Sequence, residues 1–436
     1  MLKFIKVLLA GLIVSCYFFP FEFTFLPGVN TKMALAGISL VLIAVQLAKG
    51  RSAMIDKAFF VLSIIALGIS LLCYTSVTVN GTNDYTYASY FVSMWVWLGG
   101  AYTVTSVIRK VSGNLSVRQV CNYLIAVCVA QCLIALLIDY SPFVKAVVER
   151  YVAGFDFVDL KKLSGSDRLY GIGAALDVAG TRFCTVLVMV SYLSYNLYRT
   201  KHKSYLPLYL LAFIVIAVVG NMMARTTTIG VILAIIYWIL APKQREEQSN
   251  RNTILVWSVL ICTLVLPLVL DRYNSDVKFK EHIEFAFEGF FSLAESGEWE
   301  VSSNNNLKNM IVFPESLKTW IIGDGYIENP RVTDPYYVGP TYSGYYMGTD
   351  IGYLRFIFYF GVFGLLMFMY FFYKVAGVCA GRFTGYSKMF WLILIINYVV
   401  WLKVATDIFV VFALFLCIPQ EDNDAYENSI SDPLDI

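Results

Sequence analysis

Long blocks of apolar residues, separated by polar segments, run along most of the chain. Each block is roughly 17 to 25 residues long, the length that crosses the hydrocarbon core of a bilayer as an α-helix. The predicted spans are 4–21, 32–48, 57–75, 87–108, 119–140, 175–198, 204–222, 226–241, 253–270 and 349–373. This pattern predicts an all-α, polytopic membrane protein.

A final apolar stretch, residues 388–419, is too long for one untilted helix. Lys403 and Asp407 near its middle favour a hairpin of two spans, which gives twelve transmembrane helices, with eleven as the alternative. We treat residues 1–436 as a single membrane domain. The segments predicted to leave the membrane are a first outer loop at 141–174, a large outer loop at 271–348 between helices 9 and 10, and an acidic tail at 420–436.

Basic residues give the predicted orientation, because short cytoplasmic loops are enriched in lysine and arginine. If the N-terminus lies in the cytoplasm, every inner segment through the tenth span carries two or three of them. These residues are Lys3, Lys6, Lys49, Arg51, Lys57, Arg109, Lys110, Arg118, Arg199, Lys201, Lys203, Lys243, Arg245, Arg251, Lys374, Arg382 and Lys388. The short outer turns carry almost none, so a cytoplasmic N-terminus is predicted.

Composition excludes several classes of protein. Of the 436 residues 58% are hydrophobic and 15% are charged, which excludes an ordinary soluble enzyme and a disordered chain. The net charge of +2 provides no basic excess for binding nucleic acid. Nearly all of the nine cysteines lie in apolar blocks, and the chain has neither a zinc motif nor a nucleotide-binding loop. We therefore expect neither a metal nor another cofactor.

Three arginines lie at the predicted outer ends of spans: Arg182 in the sixth, Arg225 at the start of the eighth and Arg355 in the tenth. An arginine inside a membrane costs about 2.5–3.5 kcal/mol, so it normally faces a cavity or a partner. Helix N-termini attract anions, and a guanidinium offers paired donors suited to phosphate. We expect the three to converge on one anion site at the outer surface; the alternative for Arg182 and Arg355 is snorkelling.

An acidic residue precedes two of these arginines by five positions: Asp177 before Arg182, and Asp350 before Arg355. Five helical residues rise about 7.5 Å, which puts the acid at the mouth of the site and the arginine one turn deeper. Asp350 is either a general base that takes a hydroxyl proton or an acid of the helix start, and the second interpretation is favoured for Asp177.

The two outer loops hold further candidates. His282 is a candidate base, and Arg168, with Lys161 and Lys162, is a candidate phosphate ligand or a solvated cation. The large loop is rich in tyrosine and tryptophan, on which sugars stack, and in acidic residues, to which sugars hydrogen-bond. An aromatic loop over a cationic membrane-surface site suggests a substrate that joins a sugar to a lipid diphosphate.

The chain resembles the Wzy-type O-antigen and capsular polysaccharide polymerases, which are related to the O-antigen ligases. The resemblance lies in the layout of spans around a large periplasmic loop and in three signatures across residues 165–375. These are Ala224-Arg225-Thr226-Thr227-Thr228-Ile229-Gly230, Ile322-Gly323-Asp324-Gly325-Tyr326, and Asp350-Ile351-Gly352-Tyr353-Leu354-Arg355 running into Phe360-Gly361-Val362-Phe363-Gly364.

The resemblance implies a metal-independent glycosyltransferase of the bacterial inner membrane. An undecaprenyl-diphosphate-linked glycan would be the donor, a lipid-linked repeat unit the acceptor, and a chain-length regulator a possible partner. The residues expected to be catalytic are Asp350, Arg355 and Arg225. Those expected to bind substrate are Arg182, Arg168, Asp177, Tyr353, His282 and Tyr326.

Three alternatives differ from the polymerase in what the protein would do. An O-antigen ligase is similar in having a histidine in its large loop, the position to which His282 would correspond. A lipid-linked oligosaccharide flippase has about twelve spans, but two similar halves and short loops are typical of that class. A sensor or assembly scaffold would not require arginines within its spans.

Overall fold

The computed structural model of the protein describes residues 2–50, 56–155, 158–159, 168–196, 205–240 and 245–424. Within them the α-helices are α1 (Leu2–Phe18), α2 (Thr31–Ala48), α3 (Lys57–Asn80), α4 (Tyr90–Ser112), α5 (Val117–Tyr140), α6 (Pro142–Tyr151), α7 (Leu176–Asn196), α8 (Leu206–Met223), α9 (Thr227–Leu240), α10 (Arg245–Ser275), α11 (Val277–Ala286), α12 (Glu288–Ser296), α13 (Ser302–Asn309), α14 (Leu317–Ile321), α15 (Pro330–Thr333), α16 (Gly352–Arg382), α17 (Ser387–Val400) and α18 (Phe409–Leu416). Short 3₁₀ helices lie at Tyr346–Gly348 and Thr384–Tyr386.

Eight of the described helices are long and apolar enough to cross a membrane: α2, α3, α4, α5, α7, α8, α16 and the Ile254–Ser275 part of α10. They confirm the predicted all-α membrane class. Helices α1, α9 and α17 are shorter than 18 residues. The total of eleven or twelve spans, the orientation and the outer loop between the ninth and tenth spans stay predictions.

The last apolar stretch breaks in the middle. Helix α17 ends at Val400 and α18 begins at Phe409, and the connection contains both Lys403 and Asp407. Breaking the helix there lets the chain turn at its charged residues. The eight residues of α18 rise only about 12 Å, which is less than half of a hydrocarbon core.

The chain forms two compact units. The first comprises residues 1–40, 99–291 and 413–436, and the second comprises 41–98 and 292–412. The first unit also holds a small antiparallel sheet in the order β1 (Glu22–Phe23), β2 (Val152–Phe155) and β3 (Val158–Asp159). In it Phe23 pairs with Val152, and Gly154 lies between Glu22 and Asp159.

Helix α7 forms the core of the first unit, and it packs on α5, α8 and α9. Two glycines allow the close approach. A Cβ atom on Gly230 of α9 would lie 2.4 Å from the Cα atom of Cys184 on α7. A Cβ atom on Gly180 would lie 2.9 Å from the Cβ atom of Ala224. Small residues commonly allow membrane helices to approach in this way.

In the second unit α16 is interrupted at Phe360 and Gly361. Gly361 has a φ of 70°, and a Cβ atom there would lie 2.1 Å from the carbonyl oxygen of Ile321. The interruption makes carbonyl oxygens available to partners outside the helix. The Phe358 oxygen accepts the backbone N–H of Asp324 at 2.6 Å, so the loop 322–326 docks on the break.

The next carbonyl oxygen, that of Tyr359, accepts the Ser76 hydroxyl at 2.6 Å. Gly323 lies against the same carbonyl, because a Cβ atom on it would be 2.5 Å from the oxygen. Asn80 fixes the loop from α3 by donating its amide to the Gly323 oxygen at 3.0 Å. The second and third signatures therefore meet in the structure, the second as the loop and the third as the helix break.

The described start of the C-terminal tail packs in the first unit. The guanidinium of Arg109 is 3.1 Å from the carboxylate of Asp422, and the side chain of Asn423 accepts the Val117 N–H at 3.1 Å. The predicted acidic tail beyond residue 424 lies outside the described residues, as do the candidate phosphate ligands Lys161 and Lys162.

We expect Gly230→Ala to lower the unfolding temperature of the detergent-purified protein. The added methyl group meets backbone of α7 and should cost about 1–3 kcal/mol through overpacking, although alanine favours a helix by about 1 kcal/mol. Gly37→Ala in α2 is the matched control, because a Cβ atom there has nothing within 4 Å. Equal stability of the two variants would contradict this packing.

Candidate functional site

The start of α7 is joined to the turn between α8 and α9. The Thr226 hydroxyl donates to the Asp177 carboxylate, and the Thr181 hydroxyl donates to the Asp177 carbonyl oxygen at 2.6 Å. Asp177 lies in the first turn of α7, the position favoured by its sequence. Its carboxylate therefore fixes the turn that carries Arg225.

The three threonines after Arg225 each anchor this turn. Besides the Thr226 contact, the Thr227 hydroxyl donates to the Gly220 carbonyl oxygen at 3.1 Å, and Thr228 donates to the Asn221 side-chain oxygen at 2.7 Å. Two of these acceptors lie in the last turn of α8. The threonine run thus holds the backbone of Arg225 at the junction of two apolar helices.

The side chain of Arg225 is fixed by α11 and α12. Its Nε donates to the Phe285 carbonyl oxygen at 2.9 Å, its guanidinium lies 4.0 Å from the centre of the Phe285 ring, and it forms an ion pair with Glu288. Arg168 places a second guanidinium 5.1 Å from the same ring. Burial lowers the pKa of Arg225; the Glu288 carboxylate opposes that shift and the Arg168 charge adds to it.

Arg182 lies five residues after Asp177 on α7. It is buried in α7, with its guanidinium 5.6 Å from the ring centre of Phe19. Two residues earlier, Gly180 meets Ala224, which directly precedes Arg225. Asp177 and Arg225 therefore belong to one corner of the first unit, and Arg168 joins Arg225 through the shared Phe285 ring.

His282 is buried, whereas its place in a predicted loop suggested an exposed side chain. Its Nε2 atom lies 3.1 Å from one carboxylate oxygen of Asp139, and the Lys278 ammonium lies 2.7 Å from the other. Asp276 also caps α11 and accepts the Tyr140 hydroxyl at 2.9 Å. These contacts hold α11, and with it Phe285, against the end of α5.

Arg355 belongs to the second unit, and its side chain is only 4% exposed. Its NH2 atom donates to the Ile327 carbonyl oxygen at 3.1 Å and to the Glu328 carboxylate at 3.0 Å. The guanidinium lies 3.3 Å from the centre of the Tyr345 ring. Arg355 is therefore buried within the second unit, and its side chain does not extend to an exposed surface as a snorkelling arginine would.

A buried aspartate, Asp84, positions the partners of Arg355. Its carboxylate accepts the N–H groups of Ile327 at 2.8 Å and Glu328 at 2.9 Å, together with the Thr86 hydroxyl at 2.6 Å. Burial raises the pKa of Glu328, and the Arg355 charge opposes that shift. The sequence interpretation missed Asp84 and Glu328, whose only signal is that each lies in a polar segment next to a span.

Asp350 is half-buried and directly precedes Ile351, the N-cap residue of α16. It lies within electrostatic range of Tyr345. Burial raises the pKa of Tyr345, Arg355 opposes the shift, and Glu328 and Asp350 both add to it. Asp350 is therefore part of the charged surroundings of Arg355, and its predicted role as a base stays a prediction.

The two predicted substrate tyrosines have internal partners. The Tyr353 hydroxyl donates to the Tyr398 carbonyl oxygen at 2.9 Å, and its ring packs edge-on against Trp401. The Tyr326 hydroxyl donates to the Asp334 carboxylate at 2.9 Å. Both contacts are explained by packing, and a role in binding substrate stays a prediction.

Each unit therefore offers a guanidinium held on an aromatic ring, which suits it to bind an oxyanion. Among the described residues, no group of three His, Cys, Asp or Glu side chains is arranged to hold a metal ion.

Comparison with protein-family models, curated proteins and solved structures finds no match to this chain.

Proposed function

We propose that the protein is a glycosyltransferase that polymerises undecaprenyl-diphosphate-linked oligosaccharide repeat units at the outer face of the bacterial inner membrane. The observation that carries the proposal is the arrangement of Arg225, Arg168 and Phe285 beside the start of an apolar helix. Two guanidiniums on one ring suit a ligand that carries more than one negative charge.

The apolar surface around this corner suits the lipid part of such a ligand. Helix α10, which leads into α11, exposes Leu255, Val259, Leu264 and Leu268. A polyprenyl chain can lie along these side chains while its diphosphate reaches the arginines. A free sugar phosphate would make no use of them.

The chemistry needs few protein groups, because a diphosphate is already a good leaving group. In the proposed step a hydroxyl oxygen of the acceptor forms a bond to the anomeric carbon of the donor. The bond between that carbon and the diphosphate oxygen breaks, and undecaprenyl diphosphate leaves with the electron pair. The hydroxyl proton passes to a general base, for which Asp350 and His282 are the candidates. Arginines that stabilise the departing charge lower the barrier.

One observation favours a ligase as the second candidate. His282 is buried against Asp139 and lies one helical turn before Phe285, so an imidazole with an orienting carboxylate accompanies the arginine cluster. A ligase and a polymerase share the donor and differ in the acceptor. If the protein is a ligase, cells that lack it should keep long chains on undecaprenyl diphosphate, whereas loss of a polymerase should leave single repeat units only.

We expect Arg225→Ala to stop chain growth while the protein still inserts in the membrane, because the leaving group loses its stabilising charge. Arg225→Lys should also be impaired, since an ammonium cannot reproduce the planar pair of donors. The measurement is the length ladder of polysaccharide extracted from cells. Arg109→Ala is the control, because it also removes an arginine, one whose side chain is exposed and which pairs with Asp422. Normal long polysaccharide in the Arg225 variants would remove the residue from the site.

Phe285→Leu should slow polymerisation about five- to thirtyfold. It removes two contacts between a cation and a ring, each worth about 0.5–1 kcal/mol, and keeps an apolar side chain in place. The measurement is the initial rate of polymer formation from a lipid-linked repeat unit in membrane vesicles. The matched variant is Phe290→Leu on α12, which changes an exposed ring. Equal rates for the two would show that the ring does not organise the arginines.

A further inference from the structure

Arg225 and Arg355 have the same construction around them, although they lie in different units. Each guanidinium lies over an aromatic ring, at 4.0 Å for Phe285 and 3.3 Å for Tyr345. Each donates to a backbone carbonyl oxygen and forms an ion pair with a glutamate. The same three kinds of contact thus occur at both Arg225 and Arg355.

The two glutamates differ from their arginines in exposure. The side chains of Glu288 and Glu328 are both 32% exposed, whereas those of Arg225 and Arg355 are 16% and 4% exposed. In each pair the guanidinium is the more buried partner and the carboxylate is the more exposed one. A ligand that reaches either arginine must compete with that carboxylate for the guanidinium.

Each glutamate neutralises the charge of its arginine while no ligand is bound. A buried guanidinium without a counter-charge is strongly destabilising, so an anion site built from buried arginine needs a resident anion. A carboxylate fits because it accepts the same paired N–H donors as a phosphate. A diphosphate carries more charge than a carboxylate and competes with it for those donors.

Each arginine keeps a contact that does not depend on the glutamate side chain. Asp84 holds the N–H of Glu328, and the Ile327 carbonyl keeps its own contact with Arg355. On the other site the Phe285 carbonyl holds the Nε atom of Arg225. The carboxylate can therefore leave by side-chain rotation while the arginine stays on its ring.

We propose that Glu288 and Glu328 are exchangeable counterions, each occupying the position that a phosphate group takes when substrate binds. The proposal rests on the proposed function for the identity of the ligand, a lipid-borne diphosphate. The exchange breaks and forms only ion pairs and hydrogen bonds. Its consequence is that both glutamates weaken ligand binding in exchange for a stable empty protein.

The test measures binding of inorganic pyrophosphate to the full-length protein in detergent by isothermal titration calorimetry. Glu288→Gln and Glu328→Gln should each bind about five- to tenfold more tightly than the wild type, because the competing charge is gone while the shape is kept. Glu298→Gln is the matched control, since it removes the same charge from an exposed position just after α12. It should bind as the wild type does.

The outcomes separate this proposal from the proposed function. Suppose that the wild type binds pyrophosphate and that Arg225→Ala does not. If both Gln variants then bind no more tightly than the wild type, the exchange is overturned and the proposed anion site stands. Absence of binding in the wild type and in every Gln variant would overturn the anion site as well. Competition by undecaprenyl diphosphate supports a lipid-borne ligand, and its failure to compete would contradict one.

Stability gives a second measurement in case a Gln variant unfolds easily. Pyrophosphate should return the unfolding temperature of Glu328→Gln to that of the wild type, because phosphate neutralises the arginine that the glutamate had neutralised. A variant that stays destabilised at saturating pyrophosphate would overturn the exchange.

Discussion

Buried guanidinium groups in an apolar chain must be compensated, and this constraint explains the contacts of Arg225 and Arg355. Water is scarce around such a group, so its partners must come from the protein. Arg355 obtains them from a carbonyl oxygen, a carboxylate and a ring, and Arg225 obtains the same three kinds. All of these partners come from polar segments between the apolar helices, which is why those segments fold tightly against the helix ends.

The break in α16 is part of the same arrangement. Because Gly361 interrupts the helix, the Phe358 carbonyl accepts the N–H of Asp324 and fixes the loop that begins there. Ile327 and Glu328 follow three and four residues later, and Asp84 secures their N–H groups. A backbone conformation inside an apolar helix thereby determines where the partners of Arg355 lie.

The amino-acid sequence predicts the parts of this structure that depend on local pattern. Apolar blocks predict the long helices, and the charges at Lys403 and Asp407 predict the break between α17 and α18. The cost of burying arginine singles out Arg182, Arg225 and Arg355 without any knowledge of their partners. The threonine run after Arg225 was visible as a signature, but its role in anchoring a turn was not.

The partners themselves could not be predicted, because they are distant in sequence. Phe285 lies 60 residues from Arg225, and Glu328 reaches Asp84 across 244 residues. Neither hydropathy nor spacing encodes which loop aromatic residue will lie under a given arginine. Tyr353 illustrates the converse: it lies in a signature beside Arg355, yet its hydroxyl is bound to Tyr398. Membership of a motif therefore does not tell which partner a side chain will have.

The most direct test of the account is reconstitution of the purified protein in nanodiscs with one substrate, an undecaprenyl-diphosphate-linked repeat unit. The account predicts a ladder of products that differ by one repeat unit, with undecaprenyl diphosphate released in equal number to the bonds formed. A substrate that remains a single unit, with the protein folded and the lipid present in the same disc, would contradict it.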